Sequence, residues 1–587
     1  MAVRERGRHS AAADPRLWVL GGLASLWGIG VLVCSTLGES DDPASWPVGV
    51  WSGQVSVAVP IITVVLVAAM AAAGVWLWRR ISGGTAATLK PYRVAAGEMV
   101  DPRRLEQITE NKATCSRDHL VPALKGTSGP VGIKLGTTLR RNMPVYLDWE
   151  STLLVVAGPR MGKTQAIALP AIATAPGAVI ATSNKPDIYA LSHQYRRTRG
   201  RVWCFDPQDV AAGVTNFWWN PLGRVRELVD AERLAGWLTS AIGKSDTANQ
   251  TNKYFDDEGE RVLAYLIMAA AVGGGDLVHV FEWLQDFHDQ TPVTLLRDAG
   301  LSSTADSLTA VQTMESRQRD GIVGFARQPV ALLNHRRFAQ LVTPPQRVRF
   351  VRDDDGLLLR EPTEGLHDRE LAEFVPAEFP DSTDTLYALS RDTGRSAAGL
   401  LTALTAEVLE EAVDHGARHG GRLPVPMVAV LDEVANICRM AELPRQVSHF
   451  GSRGGVITIT ILQSPGQARG VWGAEGWDAL RSSSAAKLYG GNVSDEAYLR
   501  DLSAAVGHHS VAYGSRSTSS SSGVSHSTNV HREPILESDD LEALPKQLAL
   551  LQTPGNRPVL VRKDFIFNNR ELNRRMRDDT TSGEEAK

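Results

Sequence analysis

LLVVAGPRMGKT, residues 153–164, decides the fold of this chain. An unbroken apolar run, typical of a strand that is buried on both faces, ends in a glycine-containing turn that carries Lys163 and Thr164. The residues that follow, Gln165 to Ala173, have the composition of a helix. A strand, a glycine turn and a helix amino terminus in this order direct backbone N–H groups and an ammonium at an anion. The segment therefore predicts a phosphate-binding loop.

The loop departs at one position from the pattern G-x-x-x-x-G-K-[ST], because Ala157 replaces the first glycine. Alanine is small enough for the loop to keep its shape. We predict that the ligand is ATP with Mg²⁺ and that the nucleotide contacts Gly158, Pro159, Arg160, Met161, Gly162, Lys163, Thr164 and Gln165. For this segment alone, a glycine–lysine turn without any nucleotide is the alternative.

A second apolar run, PMVAVL at residues 426–431, ends in Asp432 and Glu433. Two adjacent carboxylates at a strand end suit two tasks in nucleotide hydrolysis. Asp432 is predicted to hold Mg²⁺ through its water shell, and Glu433 to polarise the attacking water. The alternative is a strand that ends in an acidic turn, which the lysine-bearing loop makes the less favoured interpretation.

The segment HFGSRGG, residues 449–455, leads into a third apolar run that ends at Gln463. An amide at the tip of the strand beside the carboxylate strand can sense a γ-phosphate, which is the catalytic role predicted for Gln463. Arg453 is predicted to be an arginine finger that completes the site of a neighbouring subunit. A solvated arginine and a strand-capping glutamine are the alternatives.

Further apolar runs at residues 178–181 and 202–205 are separated from the others by helical or polar segments. This alternation predicts an α/β fold with a mainly parallel sheet. Between about 229 and 345 the texture becomes helical, which predicts an all-α insertion domain. The other predicted parts of the body are an ATPase domain at 151–228 and 385–575, an acidic loop at 346–384, a Ser-rich loop at 515–527 and a disordered tail at 576–587.

Two uncharged apolar stretches, residues 17–37 and 55–78, are each long enough to cross about 30 Å of hydrocarbon as a helix. Arginines flank the pair, whereas the intervening loop carries only acidic charges, so both termini are expected in the cytoplasm. We therefore predict a two-helix transmembrane hairpin at 17–80 in a multi-pass protein of the cytoplasmic membrane. A cytoplasmic segment at 1–16 precedes it, and a connector at 81–150 follows. The alternative, a cleaved signal peptide, fits less well because the first apolar run is long and a second run follows.

Composition limits the remaining possibilities. A chain of 587 residues is too long for one ordinary core, and 22% charged with 43% apolar residues is the balance of a folded body. The net charge of −4 gives no general case for nucleic-acid binding, so a DNA contact would need a local basic surface. The four cysteines lie far apart without CxxC spacing, which predicts neither a zinc site nor a disulfide framework.

Taken in order, these motifs resemble those of the TraG-type conjugative coupling proteins, relatives of the hexameric FtsK and HerA DNA pumps. The resemblance extends along the whole chain, from the amino-terminal hairpin onward. The matching segments are AGPRMGKT (157–164), ATSNKPDIYAL (181–191), FDPQ (205–208), NPL (220–222), KYFDDEGERVL (253–263), VAVLDEVANI (428–437), SRGGVITITILQS (452–464) and KLYGGNVSDEAYLRDLS (487–503).

The resemblance implies a RecA-like P-loop ATPase that forms a hexameric ring beneath the membrane and drives relaxase-bound single-stranded DNA through a type IV secretion channel. Its expected partners are DNA, relaxase and relaxosome proteins, channel components and further copies of the chain. It also implies roles for individual residues: phosphate and Mg²⁺ ligands Lys163 and Thr164, the acidic pair Asp432 and Glu433, the sensor Gln463 and the finger Arg453.

Other functions remain open. A related motor could move chromosomal DNA, but such motors usually carry more membrane spans and a winged-helix reader at the carboxyl end. A related motor could export proteins alone, although exporters of the tandem type carry several phosphate loops. A non-hydrolysing membrane receptor or scaffold would belong to a different class. Against it, Lys163, Asp432 and Glu433 are all intact.

Overall fold

The computed structural model of the chain describes residues 28–29, 31–37, 42–56, 58–105, 108–242, 250–391, 395–519, 523–568 and 573. The chain divides into two compact units, Met1–Pro91 and Tyr92–Lys587. The predicted segments 1–16 and 576–587, and residues 17–27 of the first predicted span, lie outside the described residues.

The first unit contains the helix Trp46–Trp51 and, as far as Pro91, the helix Ala58–Glu98. The second helix includes most of the span predicted at 55–78, but it does not end there. It continues through Arg79, Arg80 and Lys90, which makes the sequence of its second half polar. Within the described part of the chain, no helix is both long and apolar enough to cross a membrane. On this finding, the predicted transmembrane hairpin and the multi-pass location in the cytoplasmic membrane are wrong.

Every strand found in the described residues belongs to the second unit, and the strands are numbered in chain order. Their bounds are β1 Ile133–Thr138, β2 Pro144–Leu147, β3 Leu153–Val156, β4 Val179–Ser183, β5 Val202–Phe205, β6 Phe217–Trp218, β7 Gln346–Arg352, β8 Leu358–Glu364, β9 Ala372–Glu373, β10 Thr385–Leu389, β11 Met427–Leu431, β12 Val456–Leu462, β13 Ala486–Tyr489, β14 His508–Ser519, β15 Gly523–Pro534, β16 Leu548–Gln552 and β17 Val559–Arg562.

Eleven of these strands form one sheet in the order β2-β1-β17-β16-β13-β3-β12-β11-β4-β10-β5. From β13 to β5 every neighbouring pair is parallel, whereas the pairs from β13 to β2 are antiparallel. Strands β3, β4, β10, β11 and β12 are buried along their whole length, which explains why most of their residues are apolar. The predicted α/β class with a mainly parallel sheet is confirmed. The segment predicted as a connector supplies β1 and β2 to this sheet.

Helices occur both between the strands of the sheet and in the segment predicted as an insertion. Their bounds in the second unit are Glu110–Leu120, Leu169–Thr174, Asp187–Arg197, Leu228–Ser240, Gln250–Gly273, Leu277–Gln285, Thr291–Asp298, Ser302–Gln312, Ser316–Arg327, Arg336–Ala339, Arg395–Arg418, Val434–Ile437, Leu443–His449, Pro465–Ser483, Glu496–Val506 and Ser538–Glu542. No strand interrupts the described residues between Leu228 and Ala339. That they form a separate insertion domain stays a prediction.

Two segments for which the sequence predicts loops contain paired strands. Within the predicted acidic loop, β7 pairs antiparallel with β8, and around the Ser-rich tract β14 pairs antiparallel with β15. Both pairs form two-stranded sheets of their own. A two-stranded ribbon can form without a buried face, so it leaves little apolar signal in the sequence, and composition alone favoured a loop. Residues 520–522, between β14 and β15, lie outside the described residues.

Candidate nucleotide-binding site

A pocket with a volume of about 500 Å³ lies at the carboxyl edge of the parallel strands. Its walls come from the ends of β3, β4, β11 and β12, which parallel pairing brings to one edge. Ten of the predicted site residues line it: Pro159, Arg160, Met161, Gly162, Lys163, Thr164, Gln165, Asp432, Glu433 and Gln463. Five more residues complete the lining: Ser183, Lys185, Asp187, Leu191 and Lys546. A pocket of this size is in the range of cofactor sites.

The loop after β3 is held tightly against its neighbours. Gly158 is not among the lining residues, but a Cβ there would lie 1.8 Å from the carbonyl oxygen of Asn492, so only glycine fits. Arg160 and Gly162 both have left-handed backbone conformations, with φ of 62° and 79°. Alternating backbone conformations of this kind turn successive N–H groups toward a common concavity, which suits an anion.

The packing of Ala157 against Gly490 explains why the loop accepts alanine in place of the first glycine. Ala157 is buried, and a Cβ on Gly490 would lie only 2.6 Å from the Cβ of Ala157. Gly490, which directly follows β13, therefore provides the space that the extra methyl group needs. The substitution at position 157 leaves the backbone path of the loop intact, since Gly158 N still donates to Gly491 O over 2.9 Å.

A helix begins at the pocket directly after the loop. Thr164–Ala168 forms a π-helical turn and Leu169–Thr174 continues as an α-helix. Ala166 N donates to Gly162 O over 2.9 Å, which joins the loop to the first turn. The first N–H groups of a helix and the positive end of its dipole favour a bound anion.

Lys163 lies between the loop and the acidic strand. Its Nζ donates to the carbonyl oxygen of Ala157 over 2.8 Å and lies 4.0 Å from Oε1 of Glu433. Burial lowers the pKa of Lys163, and the nearby carboxylates of Glu433 and Asp432 oppose this shift. The ammonium is thus held among groups of the site, within reach of an anion that enters the pocket.

The two acids at the end of β11 differ in their surroundings. Glu433 has a left-handed backbone, with φ of 54°, a conformation that costs about 1–3 kcal/mol and is common at functional sites. Its Oε1 accepts a hydrogen bond of 2.6 Å from Gln463 Nε2, and its Oε2 accepts one of 3.1 Å from Asn436 Nδ2. Two amides therefore fix the direction of this carboxylate.

Asp432 has the character of a metal ligand. Its Oδ1 is buried and has no hydrogen-bond partner among the described residues, and burial together with Glu433 raises the pKa of Asp432 to about 7. Mg²⁺ binds such oxygens and usually takes its other ligands from water and phosphate. In the described part of the chain, no cluster of three or more His, Cys, Asp or Glu side chains could hold a metal. The donor set fits Mg²⁺ bound together with a nucleotide, and Thr164 lines the same pocket.

Arg453 is the predicted residue that lies apart from the pocket. It is exposed and precedes β12, whereas Gln463 follows the same strand. A seven-residue strand spans roughly 20 Å, so the two side chains lie at opposite edges of the sheet. Arg453 cannot reach the pocket of its own chain.

Several pocket residues were missed from the sequence. Lys185 and Asp187 follow β4, within the segment ATSNKPDIYAL. Asn436 holds Glu433 from the turn after β11. Lys546 lies almost 400 residues after the phosphate loop in a segment without a recognisable pattern, so no local signal could have found it.

Two protein-family models match the sequence. Residues 105–323 match a family described as type IV secretory system conjugative DNA transfer. Residues 426–546 match a family described as the TraM recognition site of TraD and TraG. Together the two matches cover more than half of the chain and include the phosphate loop, the acidic pair, Arg453 and Gln463. No match was found among curated proteins.

Solved structures of similar fold include the conjugative coupling protein TrwB. Its unbound form, lacking 70 amino-terminal residues by its description, is 18% identical with a TM-score of 0.50, over 78% of this chain and 92% of that chain. A complex of the plasmid coupling protein TrwB with ADP and Mg²⁺ is also 18% identical, with a TM-score of 0.49, over 72% of this chain and 88% of that chain. The similarity to the unbound form shows that the large, mostly parallel sheet has the fold of that protein.

Proposed function

Because this chain belongs to the TraG-type coupling proteins of type IV secretory conjugative DNA transfer, we propose that it is an ATP hydrolase whose turnover drives that transfer. The observation that supports this most strongly is the convergence of Lys163, Asp432, Glu433 and Gln463 in one pocket. These residues come from three separate strand ends, and none of them is needed there to fill a core. A glycine turn without a ligand would give no reason for Asp432 Oδ1, a buried carboxylate oxygen without a hydrogen-bond partner among the described residues. The neighbouring acid, Glu433, lies 4.0 Å from the buried Lys163.

In this proposal, Lys163 and the backbone N–H groups of residues 160–164 bind the phosphates. Asp432 and Thr164 hold Mg²⁺, which neutralises phosphate charge when it is bound. Glu433 accepts the proton of the attacking water. The hydrogen bonds from Gln463 and Asn436 keep its carboxylate directed into the site, so little reorganisation is required in the transition state.

Gln463 links detection of the γ-phosphate to the catalytic base. Its backbone N–H donates to Gln467 Oε1 over 3.0 Å, while its side chain donates to Glu433. A residue bonded through both its backbone N–H and its side-chain amide has few rotamers available. Contact of the same side chain with a γ-phosphate would therefore link the presence of ATP to the orientation of Glu433.

The position of Arg453 supports an assembly of several subunits. The exposed guanidinium of Arg453, at the edge opposite the pocket, has no hydrogen-bond or ion-pair partner among the described residues, so it is available to enter the pocket of an adjacent copy. We take this assembly to be the hexameric ring that the family resemblance implies. DNA carrying a relaxase would be the cargo, and a relaxosome protein of the TraM type would bind within residues 426–546.

Purified protein assayed for ATP turnover, with and without single-stranded DNA, tests the proposal. Wild type is expected to hydrolyse ATP. Lys163→Ala should lose nucleotide binding, whereas Glu433→Gln should bind ATP and fail to turn it over, a difference that calorimetry separates from the rate. If wild type and both variants are equally inert with DNA present, the chain is a receptor or scaffold and the enzyme proposal fails.

A further inference from the structure

The phosphate loop is held on one side by the carboxyl end of the chain. The sheet topology explains how this happens. Strand β17 is antiparallel to β16, with Arg562 opposite Leu548, and β16 is antiparallel to β13. Because β13 is parallel to β3, the residues that follow β17 emerge at the same edge as the loop after β3. We call residues 563–565 the C-terminal brace.

Lys563 is the centre of the brace. Its side chain is buried, with 4% of the residue exposed, and no opposite charge is paired with it among the described residues. Its Nζ donates to the carbonyl oxygen of Met161 over 2.9 Å and to that of Gly490 over 3.3 Å. A buried ammonium that bonds two backbone carbonyls serves the position of that backbone, since burying an unpaired charge is otherwise costly.

The other members of the brace fix this lysine in place. Asp564 pairs with Lys134 of β1 over 2.5 Å. The ring of Phe565 packs against Gly162 so closely that a Cβ there would lie 2.5 Å from its Cε1. The brace therefore contacts two consecutive residues of the loop, Met161 and Gly162, and is itself anchored to the sheet.

The orientation of the Met161 carbonyl group affects how well the loop can bind an anion. It lies between Arg160 and Gly162, the two residues with left-handed φ. The orientation of the peptide planes here determines whether an N–H or a C=O group faces the pocket. A carbonyl oxygen that faces phosphate would repel it. Lys563 binds this oxygen from the sheet side and so keeps the N–H groups directed at the anion.

We propose that Lys563 is a positioning residue for nucleotide binding, which holds the phosphate loop in its anion-binding conformation without contacting the nucleotide. The inference rests on the proposed ATP hydrolysis. Burial and the nearby ammonium groups of Lys546 and Lys163 lower the pKa of Lys563 to about 7, in agreement with a charge that the surrounding protein tolerates only with strong acceptors.

Steady-state ATP hydrolysis by the full chain tests this role. Lys563→Met keeps the length and apolar stem of the side chain and removes the ammonium. The KM for ATP is expected to rise about tenfold, as for loss of a charged hydrogen bond, with kcat within about threefold of wild type. Lys487→Met is the matched control, because Lys487 is a half-buried lysine of strand β13 that does not line the pocket. The KM of this variant for ATP should be unchanged.

A purely structural role for Lys563 would lower the melting temperature without separating KM from kcat. Lys563→Gln, which is also uncharged and too short to reach Met161, should reproduce the higher KM. A wild-type KM in either folded variant overturns the inference, and so does loss of folding in both. If wild type itself hydrolyses no ATP, the proposed function fails as well. If wild type is active and both variants have the same KM for ATP as wild type, the proposed role of Lys563 is wrong and the proposed function stands.

Discussion

Gln463 donates a hydrogen bond of 2.6 Å to Glu433, and this contact joins the ends of two adjacent strands at the centre of the pocket. The contact couples Gln463, the predicted phosphate sensor, to Glu433, the predicted base. Neither strand end alone would hold its side chain so firmly, because Glu433 has a strained backbone and Gln463 a long, flexible side chain.

Replacing Gln463 by alanine should lower kcat for ATP by roughly 10- to 100-fold with little change in KM, since the base loses its orientation and the γ-phosphate a donor. Stopped-flow measurement of phosphate release gives the rate. Asn436→Ala removes the other amide on Glu433, from a residue that does not line the pocket. An equal loss in both variants would mean that Gln463 only orients the base and senses no phosphate.

Arg453 is expected to act on a neighbouring subunit. Arg453→Ala protein and Glu433→Gln protein should each be nearly inactive, but mixtures should recover activity, because some interfaces then combine an intact pocket with an intact arginine. Arg445→Ala is the control, since Arg445 is an exposed arginine on the preceding helix and its loss should change little. Absence of recovery at every mixing ratio would contradict a role in trans.

The packing of Ala157 against Gly490 predicts a rescue between two small residues. Gly490→Ala should raise the KM for ATP by about tenfold, because the new methyl group meets the Cβ of Ala157 and displaces the loop. Ala157→Gly alone should have little effect. The double variant should return to within about threefold of wild type, since the glycine at 157 makes room for the methyl group. A double variant as impaired as Gly490→Ala would show that the methyl groups do not compete.

Glu407 predicts a pH dependence of stability. Its Oε2 accepts a hydrogen bond of 2.9 Å from Trp219 Nε1, and burial raises the pKa of Glu407 from 4.5 to about 8. Between these values the unfolded chain is ionised and the folded chain keeps its proton, so unfolding releases a proton and this group makes stability fall as pH rises.

Glu407→Gln keeps the acceptor for Trp219 but does not titrate. Relative to wild type, it should therefore raise the melting temperature at pH 8 and have little effect near pH 4.5, with a difference in free energy of the order of a few kcal/mol at most. Thermal unfolding followed by circular dichroism across this range measures it. Glu475→Gln, at an exposed glutamate, is the control. A pH-independent difference between Glu407→Gln and wild type would contradict the raised pKa.

The parts that sequence predicted well are those encoded by contiguous residues. The phosphate loop, the acid-tipped β11 and the strand before Gln463 each carry their signal within about ten residues, and parallel pairing brings their ends to one edge. The contacts that the sequence did not predict join residues that lie far apart along the chain. Lys563 contacts Met161 from 402 positions away, and no local pattern marks a lysine as a partner of a backbone carbonyl.

The structure differs from the expectation elsewhere for related reasons. The apolar stretch at 55–78 has the pattern of an isolated segment, but from Ala58 onward it belongs to a helix that runs on to Glu98. The Ser-rich tract lacks an apolar face, so nothing in its composition indicated that β14 and β15 pair along twelve positions. Hydrogen bonding along the backbone can form a ribbon without any hydrophobic pattern.

Strand β12 carries Arg453 before its first residue and Gln463 after its last, and all seven of its residues are buried between β3 and β11. Neighbouring strands on both sides prevent β12 from bending, so we expect it to move as a rigid body. A shift of Gln463 when a phosphate departs would then displace Arg453 by a similar amount at the far edge of the sheet. The turnover of one subunit could set the timing of the next through a single stiff connecting element.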